Sequence, residues 1–166
     1  MKLFECILIL IVAMSSCNNP KTTKTEKDGD VVYGVSDEDK EMNDAIKKAN
    51  ETLNQFNHAL KSNDSTYKYF ALKTRSTTPN GGEHIWVSNI EIKDNDYFGV
   101  IDNLPQSTTE VKIGDTIKIE NNNISDWMYI ESNKLVGGFT IRVLRTRMNE
   151  TEKKQFDKEC GFVITD

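Results

Sequence analysis

Residues 36–60, SDEDKEMNDAIKKANETLNQFNHAL, decide the fold class of this chain. Their apolar residues recur alternately four and three positions apart, which places the side chains on one face of an α-helix. These residues are Met42, Ile46, Ala49, Leu53, Phe56 and Leu60. Ser36 followed by Asp39 resembles a capping box at the start of the helix. We therefore expect one long amphipathic helix that ends near Asn63 and packs its apolar stripe on a β-sheet.

Beyond this helix the hydrophobic pattern changes to the two-residue period of β-strands. Polar turn residues at 93–96 separate two of the strands and predict a hairpin. The predicted strands cover residues 67–77, 84–92, 97–103, 111–120, 126–130 and 138–145. Asn149, with Glu152 three residues later, predicts a short final helix. The expected fold class is α+β, with one long N-terminal helix packed on a mainly antiparallel sheet of about six strands and a short C-terminal helix.

The N-terminal sequence MKLFECILILIVAMSSC has the features of an export signal. Lys2 precedes an apolar segment that is too short to span a bilayer as a helix, which needs about 20 residues. Two small residues then lead to Cys17, as in bacterial lipoprotein signals, where the thiol receives a diacylglycerol and further acylation, such as by palmitate, is expected. We expect residues 1–16 to be removed and the lipid on Cys17 to hold the protein on a membrane. An uncleaved anchor and an ordinary secretory signal are the alternatives.

Composition defines the rest of the predicted organisation. Residues 18–30 are polar and charged, so residues 17–35 are expected to be the lipidated cysteine and a flexible tether, and residues 36–166 a single domain. The net charge of −5 argues against a nucleic-acid partner, which requires a basic surface. Cys160 would be the one cysteine left for the domain, which excludes an internal disulfide. The expected location is the bacterial cell envelope, facing the periplasm or the exterior.

Several sequence blocks together resemble a known family. They are Ala45–Phe56, Glu83–Val87, Phe98–Pro105, Gly114–Asp115, Ile124–Tyr129 and Gly137–Val143. In this order and spacing they resemble the YegJ-like bacterial domain family, over about residues 39–156. The resemblance implies a small α+β domain. It implies no established activity, substrate or cofactor, so no catalytic residue is carried over from it.

Common catalytic and metal-binding motifs are missing from the sequence. The Gly81–Gly82 and Gly137–Gly138 pairs lack the frame of a phosphate-binding loop, and no G-x-S-x-G nucleophile elbow is present. The two histidines, His58 and His84, do not have the spacing of metal ligands, and no Cys-x-x-Cys pair accompanies them. We therefore expect neither a metal nor a cofactor.

Polar and aromatic residues on separate predicted strands form one candidate site. They are Glu83, His84, Trp86, Asp126, Trp127 and Arg142. A histidine oriented by Asp126 would suit general acid–base catalysis, whereas exposed tryptophans beside Arg142 would suit a polar ligand that stacks, such as a sugar or a peptide end. The structural alternative is an Asp126–Arg142 pair that joins adjacent strands while both tryptophans fill the core.

The sequence leaves three functional hypotheses. The first is a non-enzymatic module that binds an unknown envelope protein or polymer through the sheet edge and the region around Asp126 and Trp127. The second is a hydrolase-type enzyme that uses His84 and Asp126. The third is an immunity-type protein against an envelope-targeting toxin, because an acidic surface suits a basic partner and the resemblance includes relatives near toxin and immunity systems.

Overall fold

The computed structural model describes residues 9–11, 22–27, 30–62, 64–78 and 81–165. The described strands are β1 (Ile9–Ile11), β2 (Thr22–Lys27), β3 (Asp30–Val35), β4 (Tyr67–Thr78), β5 (Gly81–Lys93), β6 (Asp96–Ile101), β7 (Thr116–Ile119), β8 (Ile124–Glu131) and β9 (Lys134–Gly137). The described helices are α1 (Lys40–Glu51), α2 (Leu53–Lys61), α3 (Phe139–Thr146) and α4 (Glu150–Cys160), with a 3-10 turn at Asn121–Asn123. The predicted α+β class is confirmed.

The described strands form one sheet with the order β2-β3-β1-β5-β4-β8-β9. β6 pairs with the C-terminal half of β5, and β7 pairs with β6. Strands β4 to β9 pair antiparallel, as the sequence predicted, whereas β1 runs parallel to β3. The sheet is therefore larger than predicted, because β1, β2 and β3 extend it at its N-terminal end.

Alternate residues of the central strands contact two separate apolar clusters. Trp86 of β5 lies in a cluster with Leu144 of α3 and Phe156 of α4. Trp127 of β8 lies in a second cluster with Phe56 of α2. Helix α1 contributes to both clusters, through Met42 in the first and Ala49 in the second. Polar residues on the central strands must therefore find partners inside the protein.

The predicted long helix is instead two helices, α1 and α2, that meet at Thr52. The Thr52 backbone has a φ of −107° and a ψ of 8°, and its hydroxyl donates to the Lys48 carbonyl at 2.7 Å. Such side-chain bonding to the preceding turn competes with helix continuation. The apolar stripe still serves the core, because Met42, Ala49 and Phe56 are buried.

The strand predicted at residues 138–145 is wrong, because this segment forms α3. Apolar residues at 139, 141 and 143 fit a strand, but Ile141 and Leu144 are the buried pair, at helical spacing. Gly137 and Gly138 have φ values of 74° and 62°, which turn the chain out of β9 into the helix. This turn places the first N–H groups of α3 beside β8.

Of the residues predicted as the tether, Thr22–Lys27 and Asp30–Val35 pair as the antiparallel strands β2 and β3. The hairpin is ordered because Val32, Tyr33 and Val35 are buried. Among the predicted signal residues the structure describes Ile9–Ile11, which form β1, and Cys17 lies outside the described residues. None of the described helices is long and apolar enough to cross a membrane.

Candidate functional site

Asp126 is fully buried, and four donors from the protein engage its carboxylate. Oδ1 accepts from the backbone N–H groups of Trp127 at 2.8 Å and Phe139 at 3.1 Å. Oδ2 accepts from the N–H of Thr140 at 2.8 Å and from its hydroxyl at 2.7 Å. Because Phe139 and Thr140 begin α3, the carboxylate satisfies N–H groups that have no partner within the helix. Asp126 thus fixes the start of α3.

Lys73 of β4 is the cationic partner of this carboxylate, and the sequence analysis missed it. It is fully buried and lies opposite Asp126 in the sheet register. Its Nζ donates to the Thr140 hydroxyl at 3.2 Å and lies 5.3 Å from the centre of the Trp86 ring. A lysine in the apolar middle of a predicted strand was the available signal. We call Lys73, Asp126 and Thr140 the buried polar cluster.

Burial shifts both ionisable groups of the buried polar cluster toward their neutral forms. It lowers the pKa of Lys73 to about 8, although the Asp126 charge acts in the opposite direction. Burial also raises the pKa of Asp126, although hydrogen bonds from Thr140 and the charge of Lys73 oppose this shift. Each group therefore depends on the other for its charge inside the protein.

Glu83 is also fully buried, and its carboxylate holds a backbone loop. It accepts from the N–H groups of Ser107 at 3.0 Å and Thr108 at 2.9 Å, and also from the N–H of Gln106. These bonds shape the segment between β6 and β7. Glu83 thus has a structural role in the loop and not the ligand contact that was predicted.

Neither tryptophan offers a face to a ligand, because Trp86 and Trp127 are both 0% exposed. The indole Nε1 of Trp127 donates to the Ala49 carbonyl at 2.9 Å. Arg142 lies on α3 and donates to the carbonyls of Gly137, Leu135 and Thr165. The predicted Asp126–Arg142 pair is therefore wrong, since the segment carrying Arg142 is a helix whose first N–H groups occupy Asp126. The stacking site is wrong as well.

His84 is the predicted residue that does lie at a cleft. It is 4% exposed, and its Nδ1 lies 2.7 Å from the Ser125 hydroxyl. Within the described residues no hydrogen bond joins it to Asp126, so the predicted catalytic pair is not formed. Burial lowers the pKa of His84 to about 3, and the charges of Lys73 and Arg75 act in the same direction. The ring is therefore neutral near pH 7.

The cleft has a volume of about 200 Å³ and opens beside His84 and Ser125. Its walls come from the end of β3, from α1 and from the 3-10 turn, and its polar lining includes four asparagines and a single acidic residue, Asp37. The asparagines are Asn43, Asn50, Asn122 and Asn123. Arg75 completes the lining. We call this surface the His84 cleft.

Arg75 is the cation of the His84 cleft and lies opposite His84 in the sheet register. Its side chain is exposed, and it forms no ion pair with any residue in the described part of the chain. The guanidinium lies over Gly82, where an added Cβ would be 2.4 Å from Nε. Gly82 therefore leaves the space that Arg75 occupies. The charge of Arg75 is directed to the cleft without a carboxylate partner among these residues.

No metal centre accompanies the His84 cleft in the described ranges. There, no three His, Cys, Asp or Glu side chains come together in a way that could hold a metal ion. Cys160 is buried in the apolar cluster that contains Trp86. The cleft can thus provide hydrogen bonds from amides, hydroxyls and the His84 ring, together with the charges of Arg75 and Asp37.

Comparisons with known proteins match this chain to a bacterial protein family and to two bacterial proteins. The family described as "Uncharacterized protein conserved in bacteria (DUF2314)" matches residues 39–164. The chain is 36% identical over 100 residues to "Uncharacterized protein YegJ" of Escherichia coli, covering 60% of this chain and 64% of that protein. It is 33% identical over 84 residues to a putative ankyrin repeat protein of Neisseria meningitidis, covering 51% and 33% of the two chains. The matches thus span less than two-thirds of both relatives. No solved structure matches the chain.

Proposed function

This chain belongs to the DUF2314 family of uncharacterized bacterial proteins, as its sequence blocks predicted, and from that premise we propose that it is a membrane-tethered, non-enzymatic binding module. Its binding site is the His84 cleft. One contrast carries the proposal: Asp126 and Glu83 are saturated by donors of the protein itself, whereas Arg75 faces a cleft without a carboxylate partner in the described residues.

The chemistry of the His84 cleft supports binding over hydrolysis. A general base works best when its pKa is near the working pH, and a His84 with a pKa of about 3 is too weak to take the Ser125 proton. Ser125 is 3% exposed, and its hydroxyl donates its proton to the Lys73 carbonyl at 3.3 Å. The Asp126 carboxylate is bonded elsewhere, so it does not orient the ring. The pair therefore serves as a neutral, polar floor for a ligand.

The tether part of the proposal depends on the predicted signal sequence, residues 1–16, that precedes Cys17. Buried acyl chains contribute about 0.8 kcal/mol per CH₂, so two or three long chains would hold the domain on a membrane almost permanently. The envelope then supplies the partner, whether protein or polymer.

Replacing Cys17 tests the tether. We expect Cys17→Ala to lose labelled fatty acid and to move from the membrane pellet to the soluble fraction. Cys6→Ala is the matched control, since Cys6 lies within the predicted signal away from its cleavage site. If wild type takes up no fatty acid and Cys17→Ala still pellets with membranes, the tether is contradicted.

Crosslinking in intact cells tests the cleft. A photoreactive residue at position 123, in place of Asn123 in the cleft lining, should give a crosslinked partner of defined mass. The matched control is Asp94, in the turn after β5, which lies about 30 Å from His84 along the strand and should capture none of it. Equal capture at both positions, or none at Asn123, would contradict the cleft as the site. Capture of a toxin, with survival restored on co-expression, would instead support the immunity hypothesis.

A further inference from the structure

A single short strand fills the space between β3 and β5. β1 pairs with β3 in parallel through Ile9–Val32 and Ile11–Gly34. It pairs with β5 antiparallel, with Leu10 opposite His84. Since neighbouring strands lie about 4.8 Å apart, β3 and β5 are separated by about twice that distance at this level. We call this space the β3–β5 gap.

The β3–β5 gap is empty in a mature chain that begins at Cys17, because the strand that fills it belongs to residues 1–16. Its loss exposes ladder groups on both sides. On β5, the N–H and C=O of Trp86 face this edge and bond to Asn103 and Asp102. By the two-residue alternation of a strand, the N–H and C=O of His84 face the same edge. They are therefore left without a ladder partner when β1 is removed.

The hairpin on the far side of the gap does not depend on β1 alone. Val32, Tyr33 and Val35 of β3 are buried, and the last two belong to the apolar cluster of α3 and α4. Lys24 of β2 forms an ion pair with Glu152 at 3.2 Å. Arg147, at the end of α3, donates to the Thr22 hydroxyl at 2.8 Å. These contacts can hold β3 in place while the gap is open.

We propose that the mature protein binds the apolar carboxyl-terminal segment of a partner protein as a strand in the β3–β5 gap, with the terminal carboxylate on Arg75. The inference rests on the proposed function, because the gap opens only if the signal is removed. β1 is the template for the occupant, since an extended apolar segment already pairs with both edges. Addition of a strand between exposed edges is an established mode of peptide recognition.

The direction of β1 explains why a carboxyl terminus is expected. β1 runs parallel to β3 toward Val35, which lines the His84 cleft. It runs antiparallel to β5, with Leu10 opposite His84 and Ile11 opposite Glu83, so the strand points toward Gly82. The guanidinium of Arg75 lies over Gly82. A peptide in the same direction therefore ends beside a cation that forms no ion pair in the described residues, and a terminal carboxylate would supply one.

The test uses the lipidated protein purified from membranes in detergent. Intact mass is measured first, because a chain that still begins at Met1 would contradict the proposed cleavage and leave the gap filled. The probe is a labelled peptide of two lysines followed by ILILIV, the sequence of residues 7–12, with a free carboxylate. A C-terminal amide tests the charge. Proline in place of the second leucine tests the strand, because proline cannot donate to the ladder, and it also controls for partition into micelles.

We expect saturable binding of the free acid, binding of the amide about tenfold more weakly, and no saturable binding of the proline peptide. Arg75→Gln should abolish the difference between acid and amide without weakening the amide further. Bound peptide should slow hydrogen exchange at the His84 amide and at the amides of β3 that face the gap, and leave the β6–β7 hairpin unchanged.

Two results would overturn the inference while leaving the tether intact. If the His84 amide is already protected in the peptide-free mature protein, and no peptide saturates, β3 has closed onto β5. If acid and amide bind wild type equally, Arg75 does not receive a carboxylate.

Discussion

Ser125 and Asp126 are neighbours on β8, yet they belong to regions of opposite character. Asp126 lies in the buried polar cluster with four donors, whereas Ser125 contacts His84 at the floor of a cleft. The register explains the difference, because Lys73 pairs with Asp126 and Thr74 already pairs with Ile124. Ser125 is the extra residue of a β-bulge, a device that re-aims a side chain.

The comparison shows that burial alone does not distinguish the residue of the buried polar cluster from the residue at the cleft. Asp126 is 0% exposed and Ser125 is 3% exposed. What differs is how completely the protein satisfies the neighbouring charge. Lys73 has the carboxylate of Asp126 close by, while Arg75, two residues later on β4, forms no ion pair in the described parts of the chain. Substitutions in the two regions should therefore have different consequences for stability.

The largest effect is expected from Asp126→Leu. It leaves the Lys73 ammonium buried without its carboxylate and removes the acceptor of two helix N–H groups, so we expect a loss of about 4 kcal/mol in the free energy of unfolding. Urea unfolding followed by fluorescence of the buried tryptophans measures it. The double variant Lys73→Met with Asp126→Leu should recover about 2 kcal/mol, since it removes the unpaired charge. A double variant no more stable than the single one would contradict a charge-based cluster.

The second-largest loss of stability is expected from a substitution in the turn that brings α3 to Asp126. Gly137 has a φ of 74°, and an added Cβ would lie 2.3 Å from the Trp127 carbonyl oxygen. We expect Gly137→Ala to cost about 3 kcal/mol by thermal or urea unfolding. Gly114→Ala is the matched control, because its φ is 88° and nothing lies within 4 Å of the added atom. It should cost about 1 kcal/mol, the backbone strain alone. Equal losses would mean that contact with Trp127 is unimportant.

Hydrophobic period and turn chemistry were enough to predict β4 to β8 and α4, because each of these elements has a local signal. They failed at residues 138–145, where the apolar spacing fits a strand and a helix equally. In this segment the αL turn at Gly137 and the capping of α3 by Asp126 favour the helix over the strand. Both features depend on tertiary contacts. The break at Thr52 was missed for a similar reason, since a polar residue on an amphipathic helix carries little weight in a periodicity argument.

The structure separates the residues of the predicted site. His84 does lie at a cleft, but its partner is Ser125 and its neighbouring cation is Arg75. The contact between His84 and Ser125 could not be predicted from the sequence, because it depends on the bulge in β8. A one-residue shift in register changes which side chains share a face. Lys73 was missed because its burial is possible only with Asp126 nearby.

A smaller loss of stability is expected at acidic pH, because His84 is buried in its neutral form. The unfolded chain protonates this residue below about pH 6.5, whereas the folded protein does so only near pH 3, so stability falls as the pH decreases between these values. Each pH unit in that window costs up to about 1.4 kcal/mol. We expect wild type to lose about 2 kcal/mol more than His84→Gln between pH 6 and pH 4, measured by urea unfolding. Parallel stability curves would show that His84 is not buried in its neutral form.

The smallest effect on stability should come from Arg75→Gln, and its smallness is informative. Arg75 is exposed and has no ion pair in the described residues, so the free energy of unfolding should change by less than about 0.5 kcal/mol. Arg145→Gln is the matched comparison, because Arg145 holds Asp157 through two contacts of 2.8 Å and is 15% exposed. That substitution should cost about 1 kcal/mol.

If Arg75→Gln proves more costly than Arg145→Gln in urea unfolding, Arg75 stabilises the fold and the contrast between the two regions fails. If Arg75→Gln costs less than Arg145→Gln and also removes the preference for a peptide with a free carboxylate, Arg75 contributes to recognition and not to stability. Gly82 leaves room for the Arg75 guanidinium, and a glycine inside a strand often marks such a close approach. Unchanged stability together with a lost preference for the free carboxylate would therefore place the role of Arg75 in recognition.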